Sequence, residues 1–229
     1  QSLENFELCC LVETFPANHE SKEDYLRTLK FAYLYAKSVT LLKTHNKDTN
    51  KVLLKNRRIG LSQTGIAQFL ETHSIEEYRE WCNSGYMTVQ VYDEIYSNWL
   101  CVPKSVKTTS IKPSGTISLL AGATPGMHYP EHDFYIRRIR IGVTSPLLEA
   151  CKQANYKMEI DAYDASSMVV EIPVSVKCRT IKDVSIWEQV ALAVFIQKWW
   201  ADNQVSCTVT FRPEEAKEIP AILKFYQYD

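Results

Sequence analysis

Residues 108–126 read Thr-Thr-Ser-Ile-Lys-Pro-Ser-Gly-Thr-Ile-Ser-Leu-Leu-Ala-Gly-Ala-Thr-Pro-Gly, and here the chain gathers residue types that can grip an anion. The pattern predicts a short strand, a tight turn and the first turn of a helix. Such a turn aims unpaired backbone N–H groups, with the Ser114 and Thr116 hydroxyls, at one point. The positive end of a helix dipole adds to them, so the point suits a phosphate. Pro113 fixes the approach to the turn, and Gly115 lets the backbone come close to a ligand. An ordinary helix cap uses the same letters, and Ser-Gly-Thr alone does not separate the two readings. Glycine usage favours the first: three of the chain's seven glycines fall between residues 115 and 126.

Sulfur is the second chemistry. The seven cysteines are Cys9, Cys10, Cys82, Cys101, Cys151, Cys178 and Cys207. An odd count, wide spacings and no Cys-x-x-Cys argue against a disulfide framework or a structural zinc site. Most read as small buried hydrophobes in a reducing compartment. Cys9 and Cys10 stand apart because they are adjacent, in Glu7-Leu8-Cys9-Cys10-Leu11-Val12. Neighbours on a strand point to opposite faces, so only one of the two can face a given cavity.

Other candidates are weaker. His128 and His132 flank Tyr129-Pro130. Their spacing would suit a metal on a helix, but Pro130 opposes a helix there, so they read as solvated loop histidines and no metal site is expected. Arg137, Arg138 and Arg140 either line an anionic pocket or face water, and at least one is expected to face water. Lys112 either adds charge to the turn or is solvated.

The elements that must position these residues follow from patterning. Residues 7–15 read as a strand ending at Pro16. Ser21 with Asp24 starts a helix to about Leu42, and residues 44–51 read as a polar loop. Arg57-Arg58-Ile59-Gly60-Leu61 leads into a second helical stretch through Leu70, and Ser74 with Glu77 opens a long helix bearing Tyr78, Trp81 and Val89. Residues 134–143 read as an extended segment or strand with a charged face, and Ser145-Pro146 starts a short helix. Residues 167–176 form a strand that Pro173 assigns to an edge or a bulge. Ser185 and Glu188 cap a further helix, residues 205–211 form a strand, and Pro213 opens a helix over 214–228, kinked or restarted at Pro220. Strands alternating with helices predict an α/β layer with parallel pairing, and both ends read as cut from a longer protein.

With 45% apolar residues, 11% aromatic residues and a net charge of −1, the chain is of globular type. Near-neutral charge gives no general pull toward nucleic acid or anionic membrane. No apolar run reaches a membrane-spanning length, the Gln1-Ser2-Leu3-Glu4-Asn5 start lacks a signal pattern, and a cytoplasmic setting is expected.

The order and wording of these segments resemble the catalytic barrel of ribonucleotide reductases, most closely the adenosylcobalamin-dependent class II triphosphate enzymes. Four places carry the likeness: Glu7-Leu8-Cys9-Cys10-Leu11; Arg57-Arg58-Ile59-Gly60-Leu61 with Gly65-Ile66-Ala67; residues 109–126; and Phe195-Ile196-Gln197-Lys198 with Val205-Ser206-Cys207-Thr208-Val209. The resemblance covers essentially the whole chain, and the 109–126 loop is its specific element. It implies one fragment, residues 1–229, forming the second half of a ten-stranded α/β barrel. It assigns Cys9, rather than Cys10, as one of two reducing cysteines, and Ser114, Gly115, Thr116 and Ile117 as phosphate-binding positions acting mainly through backbone donors.

Members of the family also carry an Asn-Pro-Cys-x-Glu loop whose cysteine becomes the radical. The resemblance puts that loop just before Gln1. It likewise puts the partner of Cys9, the shuttle cysteines, the allosteric nucleotide site and a further barrel strand outside residues 1–229. In the complete enzyme it implies, adenosylcobalamin supplies the radical and a cysteine thiyl takes the ribose 3′-hydrogen. The 2′-hydroxyl then leaves as water, and two thiols provide the reducing equivalents. A thioredoxin-type donor resets the disulfide. The fragment alone is expected to be inactive. The alternative is a non-catalytic nucleotide- or phosphate-binding module, or a split-gene subunit that needs a partner chain for the radical cysteine.

Overall fold

The structure, a computed structural model, describes residues 3–228; Gln1, Ser2 and Asp229, where the expectations about the chain ends fall, lie outside the described residues. Three serines start the main helices. Ser21 accepts from the Asp24 N–H ahead of α1 (Lys22–Val39), Ser74 from Glu77 ahead of α4 (Ile75–Leu100), and Ser185 from Glu188 ahead of α7 (Ile186–Trp199). Each satisfies a donor that the first helical turn leaves open. At α4 the Glu77 carboxylate also accepts from the Ser74 N–H at 2.7 Å, closing a capping box. The apolar faces of these helices meet around Tyr25, Leu29, Tyr78, Val89, Ile196 and Trp200.

Strands β1 (Cys10–Thr14) and β2 (Ile59–Gln63) pair in parallel, from Cys10 opposite Ile59 to Thr14 opposite Gln63. Leu61 pairs with Thr109 and Ile111 with Val205, both in parallel. The sheet order is therefore β1, β2, residues 109–111, then residues 204–206. Ile59, Leu61 and Ile111 are buried against the helices on one face. This is the α/β class that the alternation of elements predicts.

The ten strands of a closed barrel are not seen among the described residues. The 205–211 segment is extended but leaves the sheet after Ser206, because side chains take over its backbone groups. Thr208 N–H donates to His128 Nε2 at 2.9 Å, and Gln189 binds both the N–H and the C=O of Thr210, at 3.0 and 2.8 Å. Two further expectations are corrected. Residues 44–51 are not all loop: α2 (Lys47–Asn56) starts at Asn46, whose side chain accepts from Asp48 and Thr49 N–H. The 57–61 segment does not lead straight into helix: it carries β2, and α3 (Ile66–Thr72) follows.

After the four-residue helix α5 (Ile117–Leu120) comes a second, antiparallel sheet. It is built from β3 (Phe134–Gly142), β4 (Lys157–Ile160) and β5 (Ser167–Ser175), with β5 central and α6 (Leu147–Gln153) between β3 and β4. Pro173 is tolerated in the middle strand because β4 reaches only Glu171; at Pro173 the strand has one neighbour, Ile136 of β3. Pro213 opens a 3₁₀ turn over Pro213–Glu218, and α8 (Ile219–Phe225) restarts at Pro220.

Candidate functional site

The parallel segments have two faces, and the residues sort by parity. Cys10, Val12, Ile59, Leu61, Ile111, Val205 and Cys207 face or border the helical core. Cys9, Leu11 and Glu13 of the first segment therefore share the opposite face with Gly60 and Ser62 of the second and Ser110 of the third. A Cβ built on Gly60 would lie 2.6 Å from Leu11 Cδ2, 3.1 Å from Cys9 Sγ and 3.3 Å from Ser110 Cβ. Glycine at position 60 leaves the room that Cys9 and Leu11 occupy. Cys10 faces the other way, and burial pushes its thiol pKa up, against a smaller opposing pull from Arg57. Burial likewise pushes Cys82 up to about 12, against the weaker influence of hydrogen bonding with Tyr78 and Gln63. Cys178 is pushed up to about 11, again chiefly by burial. These thiols are held protonated, as buried structural cysteines are.

Glu13 lies above Cys9 and Leu11 on the same face. Its carboxylate accepts from Thr64 Oγ1 at 2.7 Å. Burial raises its pKa, and the Thr64 and Ser62 hydroxyls, Lys112 and the Ser114 hydroxyl oppose that shift. Nothing in the motifs of the sequence singles this residue out. Its parity with Cys9, four residues earlier on one strand, was the available signal.

The 109–126 loop is tied down at both ends. Lys112 N–H donates to Ser62 Oγ at 3.0 Å. At the far end Gly65 N–H donates to Thr124 O and Ile66 N–H to Gly126 O, so the loop closes the start of α3. Gln68 clamps it from that helix, accepting from Thr124 N–H at 2.7 Å and donating to Gly122 O at 3.1 Å. Gly126 has φ +53°, and a Cβ there would sit 2.4 Å from Lys112 O. Only glycine fits that crossing.

The turn itself differs from its sequence reading. Ser114 adopts the left-handed conformation, at φ 50°, a strain the sequence reading did not assign to it. What approaches Gly115 is Arg137: its Nη2 donates to Gly115 O at 2.6 Å and would lie 3.1 Å from a Cβ on residue 115. Thr116 caps α5 without a side-chain hydrogen bond. With only four residues in that helix, the dipole contribution shrinks to that of a single turn, and the donors themselves carry the attraction. Among the described residues, the N–H groups of Gly115, Thr116 and Ile117 meet no acceptor. The buried hydroxyl oxygens of Ser114, Ser118 and Thr124 also have no hydrogen-bond partner. A buried polar atom left unpaired costs free energy unless a ligand or water completes it.

The arginines divide by parity. Arg137 reaches the loop, whereas Arg138 pairs with Glu159 and Arg140 with Asp161 across the antiparallel sheet. His128 is not a solvated histidine: its Nδ1 bonds Pro125 O at 2.8 Å and its Nε2 accepts from Thr208 N–H at 2.9 Å, so both ring nitrogens are engaged by the backbone. Lys182 Nζ lies 3.3 Å from the Nδ1 of His132. Among the described residues, no group of three or more His, Cys, Asp or Glu side chains is placed to hold a metal ion, and no helix is long and apolar enough to cross a membrane.

No family model matches the chain. Over its whole length it is 55% identical to a probable adenosylcobalamin-dependent ribonucleoside-triphosphate reductase of Dictyostelium discoideum, covering 30% of that protein. It is 52% identical, again over its whole length, to an adenosylcobalamin-dependent ribonucleoside-triphosphate reductase of Euglena gracilis, covering 32% of it. The crystal structure of a B-12-dependent (class II) ribonucleotide reductase superposes on 99% of the chain with a TM-score of 0.82 and 33% identity, using 36% of that structure. The chain thus spans about a third of the length of the curated relatives it matches. In sequence and in fold it matches one segment of the longer chain of adenosylcobalamin-dependent (class II) ribonucleotide reductases.

Proposed function

We propose that residues 1–229 are the second half of the catalytic barrel of a ribonucleoside-triphosphate reductase, contributing its phosphate loop and one reducing cysteine. The observation that carries this reading is the common face shared by Cys9, Gly60 and Ser110, with the loop that begins at Lys112 anchored on Ser62 of that face. In the whole enzyme, residues 114–117 hold the triphosphate through their open N–H groups. That fixes the ribose over the face bearing Cys9, the positioning part of catalysis. Two thiols, Cys9 and a partner elsewhere in the longer chain, give two electrons and two protons. The ribose 2′-hydroxyl leaves as water, the 2′-carbon gains hydrogen, and the thiols end as a disulfide. A thioredoxin-type dithiol in a reducing cytoplasm returns them by exchange.

Adenosylcobalamin is the cofactor of the whole enzyme and supplies its radical. The face described here carries hydroxyls, a thiol and one carboxyl, chemistry suited to a nucleotide, and no residue of this chain is assigned to the cobalamin. The test is multiple turnover of the full-length enzyme with a thioredoxin donor. Cys9→Ser is expected to abolish it, while Cys10→Ser, Cys82→Ser and Cys151→Ser leave most of it. Loss with Cys10→Ser in place of Cys9→Ser would refute the assignment of faces.

A further inference from the structure

We infer that Glu13 is the charge-setting residue of the anion loop: fixed by Thr64 on the face that carries Cys9, and facing Lys112 and Ser114, it tunes how strongly residues 114–117 hold a phosphate. The inference rests on the phosphate reading of that loop and deepens it.

The geometry comes from three segments. β1 brings the carboxyl group to the sheet face, and the Thr64 hydroxyl at the end of β2 donates to it at 2.7 Å. From the loop, Lys112 supplies the facing positive charge, and the Ser114 hydroxyl points toward the carboxyl group without closing a hydrogen bond. Behind the strand, Tyr25 is held neutral by complete burial, so its phenol adds no charge. The Lys112 backbone N–H is fixed on Ser62 Oγ, so the residue that carries the opposing charge stands at the base of the loop. A triphosphate bound at the next residues meets a cation and an anion together. The carboxylate offsets part of the attraction that Lys112 and the N–H groups supply. Such a residue keeps a highly charged ligand from being held too tightly for release, at a site where burial weakens solvent screening.

The test compares binding of a ribonucleoside triphosphate, inorganic tripolyphosphate and the corresponding nucleoside to the full-length reductase, at low and high ionic strength. Glu13→Gln keeps an acceptor for Thr64 and removes the charge. It is expected to tighten both phosphate ligands about three- to tenfold at low salt, to leave the nucleoside unchanged, and to keep part of that gain at high salt. Lys112→Met is expected to shift the same ligands in the opposite direction, and it keeps the inference testable if Glu13→Gln folds poorly. Unchanged phosphate affinity in Glu13→Gln, or a change that extends equally to the nucleoside, would overturn it. Gly115→Val separates this from the underlying reading: a loss equal for nucleoside and triphosphate means the loop is a structural turn. A phosphate-selective loss there, with Glu13→Gln and Lys112→Met silent, leaves the loop standing and removes Glu13 from it.

Discussion

Substituting Asp93 should expose how the segment leading into the loop is held. The Lys37 and Asp93 side chains are 0% and 3% exposed and meet at 2.7 Å between α1 and α4. Lys37 Nζ also donates to Pro103 O and Ser105 Oγ, each at 3.0 Å. Asp93 accepts from Tyr33 OH at 2.8 Å and from Ser105 N–H at 3.1 Å. The pair therefore anchors the turn after α4, a few residues before Thr109. In Asp93→Ala the ammonium keeps two neutral acceptors and loses its counter-charge, while the Ser105 N–H is orphaned. Breaking one side of a buried pair costs about 3–5 kcal/mol.

Burial already holds Lys37 below its ordinary value of 10.5, against the pull of Asp93. Without Asp93 the folded-state pKa falls further, while the unfolded chain still binds that proton. The variant's stability should then rise with pH toward 10.5, a dependence that loss of a simple packing contact does not introduce. Urea unfolding at several pH values, with Lys37→Met and the Lys37→Met/Asp93→Leu pair, completes the cycle. The double variant should cost less than the two single losses added together, leaving about 1–3 kcal/mol for the unpaired Ser105 N–H. A loss below about 1 kcal/mol in Asp93→Ala, or additive single losses, would refute the reasoning.

Gly126→Ala must place a Cβ 2.4 Å from Lys112 O at φ +53°; thermal unfolding should show a loss of at least about 1–2 kcal/mol, with weaker triphosphate binding as the loop shifts. At Glu7, burial raises the carboxyl pKa, but hydrogen bonds from Arg58, the Glu4 N–H and Asn56 outweigh it and hold the group below its ordinary 4.5. Its contribution is thus present above that value and lost as pH falls through the lower folded-state value. Acid titration of stability should show Glu7→Gln losing part of the wild-type decline below pH 4.5.

The three capping serines were legible because a side chain accepting from its own helix leaves a local signature, and α1, α4 and α7 start where they predict. α2 was hidden because two of its three buried residues, Thr49 and Asn56, are polar, so no apolar stripe marks it. β2 was hidden for a related reason: all five residues are buried, yet Gly60, Ser62 and Gln63 break any hydrophobic alternation. At the site, period-two parity separates Cys9 from Cys10, and the fold puts only Cys10 against the core. Local sequence could not show that Arg137, 22 residues away, would occupy the space beside Gly115. Nor could it show that the strained backbone would fall on Ser114. Those are consequences of tertiary approach, which no short window contains.

Asn203 has a kinetic consequence. Its side chain donates to Ile59 O at 2.9 Å and Thr109 O at 2.7 Å, and its Oδ1 accepts from Arg58 at 2.9 Å. One amide emerging late in synthesis therefore ties together segments made 94 to 145 residues earlier. β1 and β2 can pair early, but the third segment gains its outer neighbour only once residues 203–206 have left the ribosome. Closure at such separations carries a large loop entropy and makes folding slow. In the interval, the backbone groups of residues 109–111 are an unpaired parallel edge open to other chains. Nascent protein stalled before Asn203 should accordingly bind chaperones most strongly, and release should follow emergence of the 203–206 segment rather than completion of any helix.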